Sequence, residues 1–209
     1  MSKPRLVILG SGGHAKVIAE IFEEYSSFEI AGFTALSPTE TLFHYPYLGY
    51  DSQLAQLLAG GITHAFPAIG SNRVRLRLLA DLHRLGFTLP NAISRYAILS
   101  PRTKLGVAIA IMPGAVVNTC STIEDGAILN TSSSIDHDNH IGACAHIAPG
   151  CHLAGNVTVG EGAFLAAGSA AIPGVTIGPW ATVGAGGVVI RDITAGMTVV
   201  GVPATRLLR

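Results

Sequence analysis

The sequence predicts two units in series: an α/β unit on a small parallel sheet, then an all-β unit, a parallel β-helix. Three observations carry this. An apolar run near the start ends in a glycine-rich turn that opens a helical pattern. Composition changes near residue 90, from ordinary strand and helix patterns to Gly, Ala, Val, Ile and Thr with few charges. From Leu99 an aliphatic residue returns every six positions. The boundary is expected in Leu89-Pro90-Asn91-Ala92, giving units 1–90 and 91–209, because Pro90 would end a preceding element.

In the first unit, Leu6-Val7-Ile8-Leu9 reads as a buried strand, and Gly10-Ser11-Gly12-Gly13-His14 as the turn after it. Val17, Ile18, Ile21 and Phe22 then recur at helical spacing. Phe28 to Phe33 and His64 to Ile69 read as two further strands. Ser52 to Leu58 and Arg73 to Leu85 carry helix patterns, the second with Val74, Leu78, Leu82 and Leu85 as its apolar positions. Alternating strands and helices imply a parallel sheet.

In the second unit the period runs through sixteen positions, from Leu99, Leu105 and Ile111 to Ile177, Val183 and Val189, with Ala171 the one alanine. Four residues after each sits a mostly small residue, as at Ala115, Ser121, Ala127 and Ser133. This is a hexapeptide repeat: each hexad is one flat side of a prism, and three sides make a coil of 18 residues. Stacking buries the aliphatic stripe, and sixteen hexads predict about five coils. Each residue then lies over the one 18 positions away.

Composition narrows the function classes. The 209 residues carry 13 basic and 13 acidic side chains, so no basic nucleic-acid footprint is present. Charged residues are 12%, hydrophobic residues 49% and mean hydropathy is +0.47, the signature of a chain that buries most of its apolar surface. Gly, Asp, His or Asn interrupts every apolar run before about 18 residues, so no membrane span is expected. The run Leu6–Leu9 is too short for a signal peptide, and the expected location is cytoplasmic. Three cysteines, Cys120, Cys144 and Cys151, without a CxxC encode neither a disulfide framework nor a thiolate metal site, and they read as small buried hydrophobes.

Two places carry chemistry. Gly10-x-Gly12-x-x-Ala15 fits a GxGxxG/A turn between strand and helix, where backbone N–H groups hold phosphate. Gly70-Ser71-Asn72-Arg73 is a second strand-to-helix turn, with Arg73 and Arg75 available to a diphosphate. Two such turns suggest one diphosphate ligand, although glycines also make tight turns for purely structural reasons. About 90 residues are too few for a full dinucleotide domain.

The other place is histidine-rich. Four of the eight histidines, His137, His140, His146 and His152, fall within 16 residues of a prism poor in polar groups elsewhere. His137 occupies a corner, and Gly155 lies 18 residues on, so the imidazole and that backbone sit one coil apart. Asn139 breaks the small-residue rule at the same level. An imidazole beside a carboxylate is a general base. Neighbouring residues in a strand point apart, so Asp136 or Asp138 reaches His137 only if the chain turns there. His140 and His152 read as solvated, and His146, before inward Ile147, faces outward where a cleft between protomers would use it.

The segments Val7-Ile8-Leu9-Gly10-Ser11-Gly12-Gly13-His14-Ala15-Lys16-Val17, Ala68-Ile69-Gly70-Ser71-Asn72-Arg73, Asn130-Thr131-Ser132-Ser133-Ser134-Ile135-Asp136-His137-Asp138 and Gly201-Val202-Pro203-Ala204 carry a resemblance over essentially the whole chain. The sequence resembles the bacterial hexapeptide sugar acetyltransferases, which include sialic acid O-acetyltransferases and UDP-4-amino-sugar N-acetyltransferases. The resemblance implies a Rossmann-like N-terminal domain on a left-handed β-helix, assembled as a homotrimer with acetyl-CoA between neighbouring helices. It implies His137 as general base and Asp138 as the acid that tunes it. His146 and Gly155, with Ala167 and Ala185 further along, are implied acetyl-CoA contacts. Gly12, Gly13, His14, Gly70 and Arg73 are implied contacts for the acceptor. The implied activity is acetyl-CoA-dependent N-acetylation of a nucleotide-linked amino sugar, of the UDP-4-amino-sugar type, in surface glycan or glycoprotein sugar synthesis, with no metal.

Two departures stand out. The family's acidic pair after the second strand is replaced in Gly32-Phe33-Thr34-Ala35-Leu36, and Asp51 after Leu48-Gly49-Tyr50 is not an obvious substitute. The family's His-Pro before the first coil is replaced by Ser94-Arg95. Three alternatives remain: O-acetylation of sialic acid; a γ-type carbonic anhydrase, whose ligands the histidine spacings of 3, 6 and 6 do not match; and a non-enzymatic sugar-nucleotide sensor.

Overall fold

A computed structural model of the chain describes residues 3–25 and 27–206. It divides into two compact units, Met1–Arg95 and Tyr96–Arg209.

The first unit is a three-stranded parallel sheet in the order β2-β1-β3, with β1 (Arg5–Leu9), β2 (Glu29–Thr34) and β3 (His64–Pro67). Leu6, Val7, Ile8 and Leu9 are all fully buried, as a continuous apolar run requires when both faces of a central strand are covered. Helix α1 (Gly13–Tyr25) follows β1 and buries Ala15, Ile18, Ala19, Ile21 and Phe22. Phe22 meets Phe28 and Phe66 edge to face, with centroids 5.5 and 5.4 Å apart.

A single helical turn at Asp51–Gln53 leads into α2 (Leu54–Ala59). Helix α3 (Asn72–Leu85) stops at Gly86, whose φ of 91° lets its N–H cap the carbonyls of Leu82 and His83. Leu82 is buried in α3 as expected, but its companions in the buried stripe are Arg75 and Leu79, while Val74, Leu78 and Leu85 are half-buried. The i, i+4, i+7 stripe is rotated by one residue because the Arg75 guanidinium has backbone partners inside.

The second unit is a parallel solenoid whose two-residue strands stack at intervals of 18. Ile128 pairs with His146, His146 with Phe164 and Phe164 with Thr182 on one face. Ser134 and His152 align on the second face, His140 and Thr158 on the third. From Ile111 to Val189 every sixth residue is an inward aliphatic or Ala171, all buried, and the small residues four positions later are buried too. Leu99 and Leu105 are half-buried.

The stack makes about six coils, one more than the hexad count implies. Thr182 pairs with Thr198 and Ile177 bridges Ile193, an interval of 16. Two residues are missing from the last coil, which ends the sequence period before the ladder ends. Among the described residues no helix is long and apolar enough to cross a membrane.

The corners follow a rule that the period does not show. Every sixth residue from Ala108 to Gly186 has positive φ, among them Cys120 (61°), Ser132 (56°), Asp138 (58°), Asn156 (59°) and Trp180 (59°). Half of these corners are not glycine, so stacking imposes the left-handed conformation at some cost. Cys144 and Cys151 are buried as expected, whereas Cys120 is exposed, although Cys120 and Cys144 both occupy such corners.

Candidate active site

His137 and Asp138 stand on the corner after the strand Ser134–Ile135. The left-handed backbone at Asp138 turns two adjacent side chains toward each other, which an extended chain forbids. His137 Nδ1 and Asp138 Oδ2 are 2.8 Å apart. The ionised carboxylate only accepts, so Nδ1–H donates and Nε2 keeps its lone pair. The hydrogen bond that His137 donates to Asp138 and, next, the charge of Asp136 raise the His137 pKa above its ordinary value. The Asp136 carboxylate accepts from Asn118 Nδ2 and from the His137 N–H, each at 2.9 Å, and these bonds, that of Asn118 first, lower its pKa. His137 and Asp138 are each more than half exposed, open to a reactant.

The His137 ring lies over Gly155 in the next coil. A β-carbon at 155 would fall 2.5 Å from Cε1 and 2.6 Å from Nε2, so only glycine fits beneath the ring. The Gly155 N–H makes no hydrogen bond to any described residue. A base with a free lone pair and a vacant backbone donor stand one coil apart, the pair that acyl transfer needs.

The other expected acetyl-CoA residues lie elsewhere on the prism. His146 is on the face built from Ile128, His146, Phe164 and Thr182. Its ring meets Phe164 edge to face at 5.3 Å, and Nε2 is 3.0 Å from Asn130 Nδ2. Asn130 Oδ1 accepts from the Thr131 N–H at 2.8 Å, which turns Nδ2 toward the imidazole. His146 Nε2 is therefore an acceptor with its lone pair engaged, unlike that of His137. Ala167 and Ala185 are exposed and stacked, the Gly186 N–H donating to the Ala167 carbonyl at 2.9 Å. They share the corner that follows the His146 face.

His140 pairs with Glu124 at 2.9 Å, and His152 Nδ1 lies 2.8 Å from Ser134 Oγ. Among the described residues no three His, Cys, Asp or Glu side chains converge as a metal site.

The glycine turn of the first unit separates into structural and open positions. Gly10 has φ of 112°, and a β-carbon there would lie 2.7 Å from Ile69 Cδ1 and 3.0 Å from the Ala68 carbonyl, so packing requires glycine. Gly12, Gly13 and Gly70 face open space. His14 Nε2 is buried with no hydrogen-bond partner among the described residues, and burial, then the Arg75 charge, lowers its pKa to about 4. Arg73 is exposed.

Arg75 is 1% exposed and is not the surface cation expected at this turn. It donates to the carbonyls of Ile69 (2.8 Å) and Gly70 (3.3 Å) and to Asn72 Oδ1 (2.9 Å), bracing the turn from inside. Asp51 also differs from expectation. Thr34 Oγ1 at the end of β2 donates to Asp51 Oδ1 at 2.6 Å, and Ser11 donates to Glu40. Two carboxylates thus come to the ends of β1 and β2 from later in the chain, where sequence distance hides them.

Residues 5–82 match the family model described as the PglD N-terminal domain. A variant of GDP-perosamine N-acetyltransferase from Caulobacter crescentus, solved with CoA and GDP-perosamine, is 42% identical, with a TM-score of 0.95 over 98% of this chain and 97% of that one. The chain belongs to the hexapeptide-repeat sugar N-acetyltransferases. The PglB acetyltransferase domain from Neisseria gonorrhoeae, solved with acetyl coenzyme A, is 34% identical, with a TM-score of 0.93 over 99% and 100%. WeeI from Acinetobacter baumannii is 25% identical, with a TM-score of 0.83 over 97% and 99%. Histidine-to-alanine and histidine-to-asparagine variants of the Caulobacter enzyme have been solved with the same two ligands.

Within this N-acetyltransferase fold, sequence reasoning assigned no role to Asn130, Glu40 or the bonds of Asn139. For Asn139 the signal was present, a carboxamide in a small-residue slot. For Glu40 no signal existed, because its partner Ser11 is 29 residues away.

Proposed function

We propose that the protein transfers the acetyl group of acetyl-CoA to the amine of a nucleotide-linked amino sugar. The observation that carries the reading is the stack of His137 on Gly155, with Asp138 holding Nδ1. The amine nitrogen attacks the thioester carbonyl carbon as His137 Nε2 takes the amine proton. The Gly155 N–H meets the developing oxyanion; the C–N bond is then complete, the C–S bond breaks and CoA thiolate leaves.

The open glycines at 12, 13 and 70, with His14 Nε2 unpartnered among the described residues, support acceptor binding on the first unit. Arg73 is the exposed cation there for a diphosphate. His146, Ala167 and Ala185 serve acetyl-CoA in this reading. They lie on a different face from His137, so one chain does not supply both halves of a site, and a homotrimer does. Ile172 (41% exposed) and Ile190 (44%), stacked one coil apart on the corner that carries Asp136, support such an assembly. With these co-substrates the reading implies a cytoplasmic enzyme.

The test is a panel of UDP-, GDP- and dTDP-linked amino sugars against free and CMP-linked sialic acid, followed by thiol release from acetyl-CoA. The expected result is turnover of one nucleotide-linked amine; turnover of sialic acid alone would overturn N-transfer.

A further inference from the structure

Asn139 is the one carboxamide in its inner column, where Ser121 lies one coil before and Val157 and Val175 lie after. It is 2% exposed. Its Nδ2 donates to the carbonyls of Asp136 (2.8 Å) and Ala154 (3.0 Å), with a longer approach to that of His137 (3.4 Å). Its Oδ1 accepts from the Val157 N–H at 2.9 Å. Ser121 Oγ completes the cluster, donating to the Asp136 carbonyl at 2.9 Å and accepting from the Asn139 N–H at 3.2 Å.

A buried amide is unfavourable unless paired, and this one is paired on both sides of a coil boundary. Asp136 and His137 belong to the corner that carries the imidazole, Ala154 and Val157 to the corner that carries the Gly155 N–H. The coils with Val157 and Val175 at this position show that stacking itself needs no such group. The carboxamide occurs at the level where a base in one coil must meet a donor in the next.

We propose that Asn139 is a positioning residue for acyl transfer, clamping the His137 corner to the Gly155 corner and so setting the spacing between the base and the oxyanion donor. This rests on the function proposed above. Reacting groups displaced by about 1 Å lose on the order of 10²-fold in rate, while ground-state contacts to the two substrates are unaffected.

The experiment compares Asn139→Ala and Asn139→Ser with Ser169→Ala, a buried hydroxyl removed from a different column. Alanine and serine already fill inner slots, at Ala127 and Ser121, so both replacements suit the prism. The expected result for Asn139→Ala is a kcat about 10- to 100-fold lower, both KM values within about twofold, and an unmoved kcat–pH midpoint, because Asp138 and Asp136 still flank the imidazole. Asn139→Ser, which restores one donor, should lie between it and the wild type, and Ser169→Ala should keep its kcat. A folded Asn139→Ala or Asn139→Ser protein with more than half the wild-type kcat overturns the proposal, as does an equal loss in Ser169→Ala. His137→Ala in the same assay separates the two failures: if it is active, the proposed function is wrong; if it is inactive while Asn139→Ala is fully active, only the clamp is.

Discussion

The imidazole of His137 rests on the backbone of Gly155, so closely that a β-carbon at 155 would lie 2.5 Å from Cε1. Gly155→Ala should therefore displace the ring or part the coils. A kcat loss on the order of 10²-fold, with a far-UV spectrum unchanged from wild type, is the expected outcome. Full activity would show that the ring has no fixed seat.

His137→Ala removes the proposed base. Positioned general bases contribute about 10²–10⁴-fold, so kcat should fall by that order without a matching rise in either KM. Steady-state kinetics on the folded variant checks this, and retention of more than half the activity removes His137 from the mechanism.

Asp138 first and Asp136 next raise the His137 pKa, so the base becomes protonated as pH falls through a value above the ordinary histidine range. kcat should fall on that acid limb, with its midpoint above about 6.5. Asp138→Ala removes the hydrogen bond and a charge, which shifts the midpoint toward lower pH and reduces kcat less than His137→Ala does. A midpoint that stays in place would sever Asp138 from the titration.

Much of this was legible in the sequence. The inward stripe, the small slots and the one-coil offset of His137 and Gly155 follow from counting by six and eighteen, because stacking makes chain distance into spatial distance. Contacts in the first unit did not follow. Asp51 reaches Thr34 across 17 residues and Glu40 reaches Ser11 across 29, through a segment with no period to count by. Asp138 falls between: its identity was plain, but its left-handed backbone is imposed by the stack. Arg75 was misjudged because a cation in an amphipathic pattern is assigned to solvent, and here backbone carbonyls receive it inside.

The two classes of glycine in the first turn should separate experimentally. Gly10→Ala forces a side chain to φ of 112° against Ile69, and strain of about 1–3 kcal/mol should lower the melting temperature. Gly12→Val adds bulk to open space and should raise the acceptor KM, leaving melting temperature and acetyl-CoA KM nearly unchanged. If Gly12→Val weakens acetyl-CoA equally, the two substrates do not divide between the units.

His14 is kept neutral by burial, its pKa falling from 6.5 to about 4. The unfolded chain binds a proton at this residue below about pH 6.5 and the folded one only below about 4, so stability should decline as pH drops through that window. The interval corresponds to on the order of 3 kcal/mol. Denaturation midpoints at pH 4.5 and 7 should differ less in His14→Gln than in wild type; equal differences would assign the acid sensitivity elsewhere.

The interval of 18 residues also constrains how such a protein evolves. The proposed base, clamp and oxyanion donor lie within Asp136–Val157, and a single-residue insertion or deletion between His137 and Gly155 would slide one coil past the other and part them. Gain or loss of a whole coil beyond this window would leave them in register. Length variants among descendants should therefore change by multiples of a coil on either side of the window. Irregular changes belong at the end of the stack, where an interval of 16 already replaces 18 without breaking the ladder.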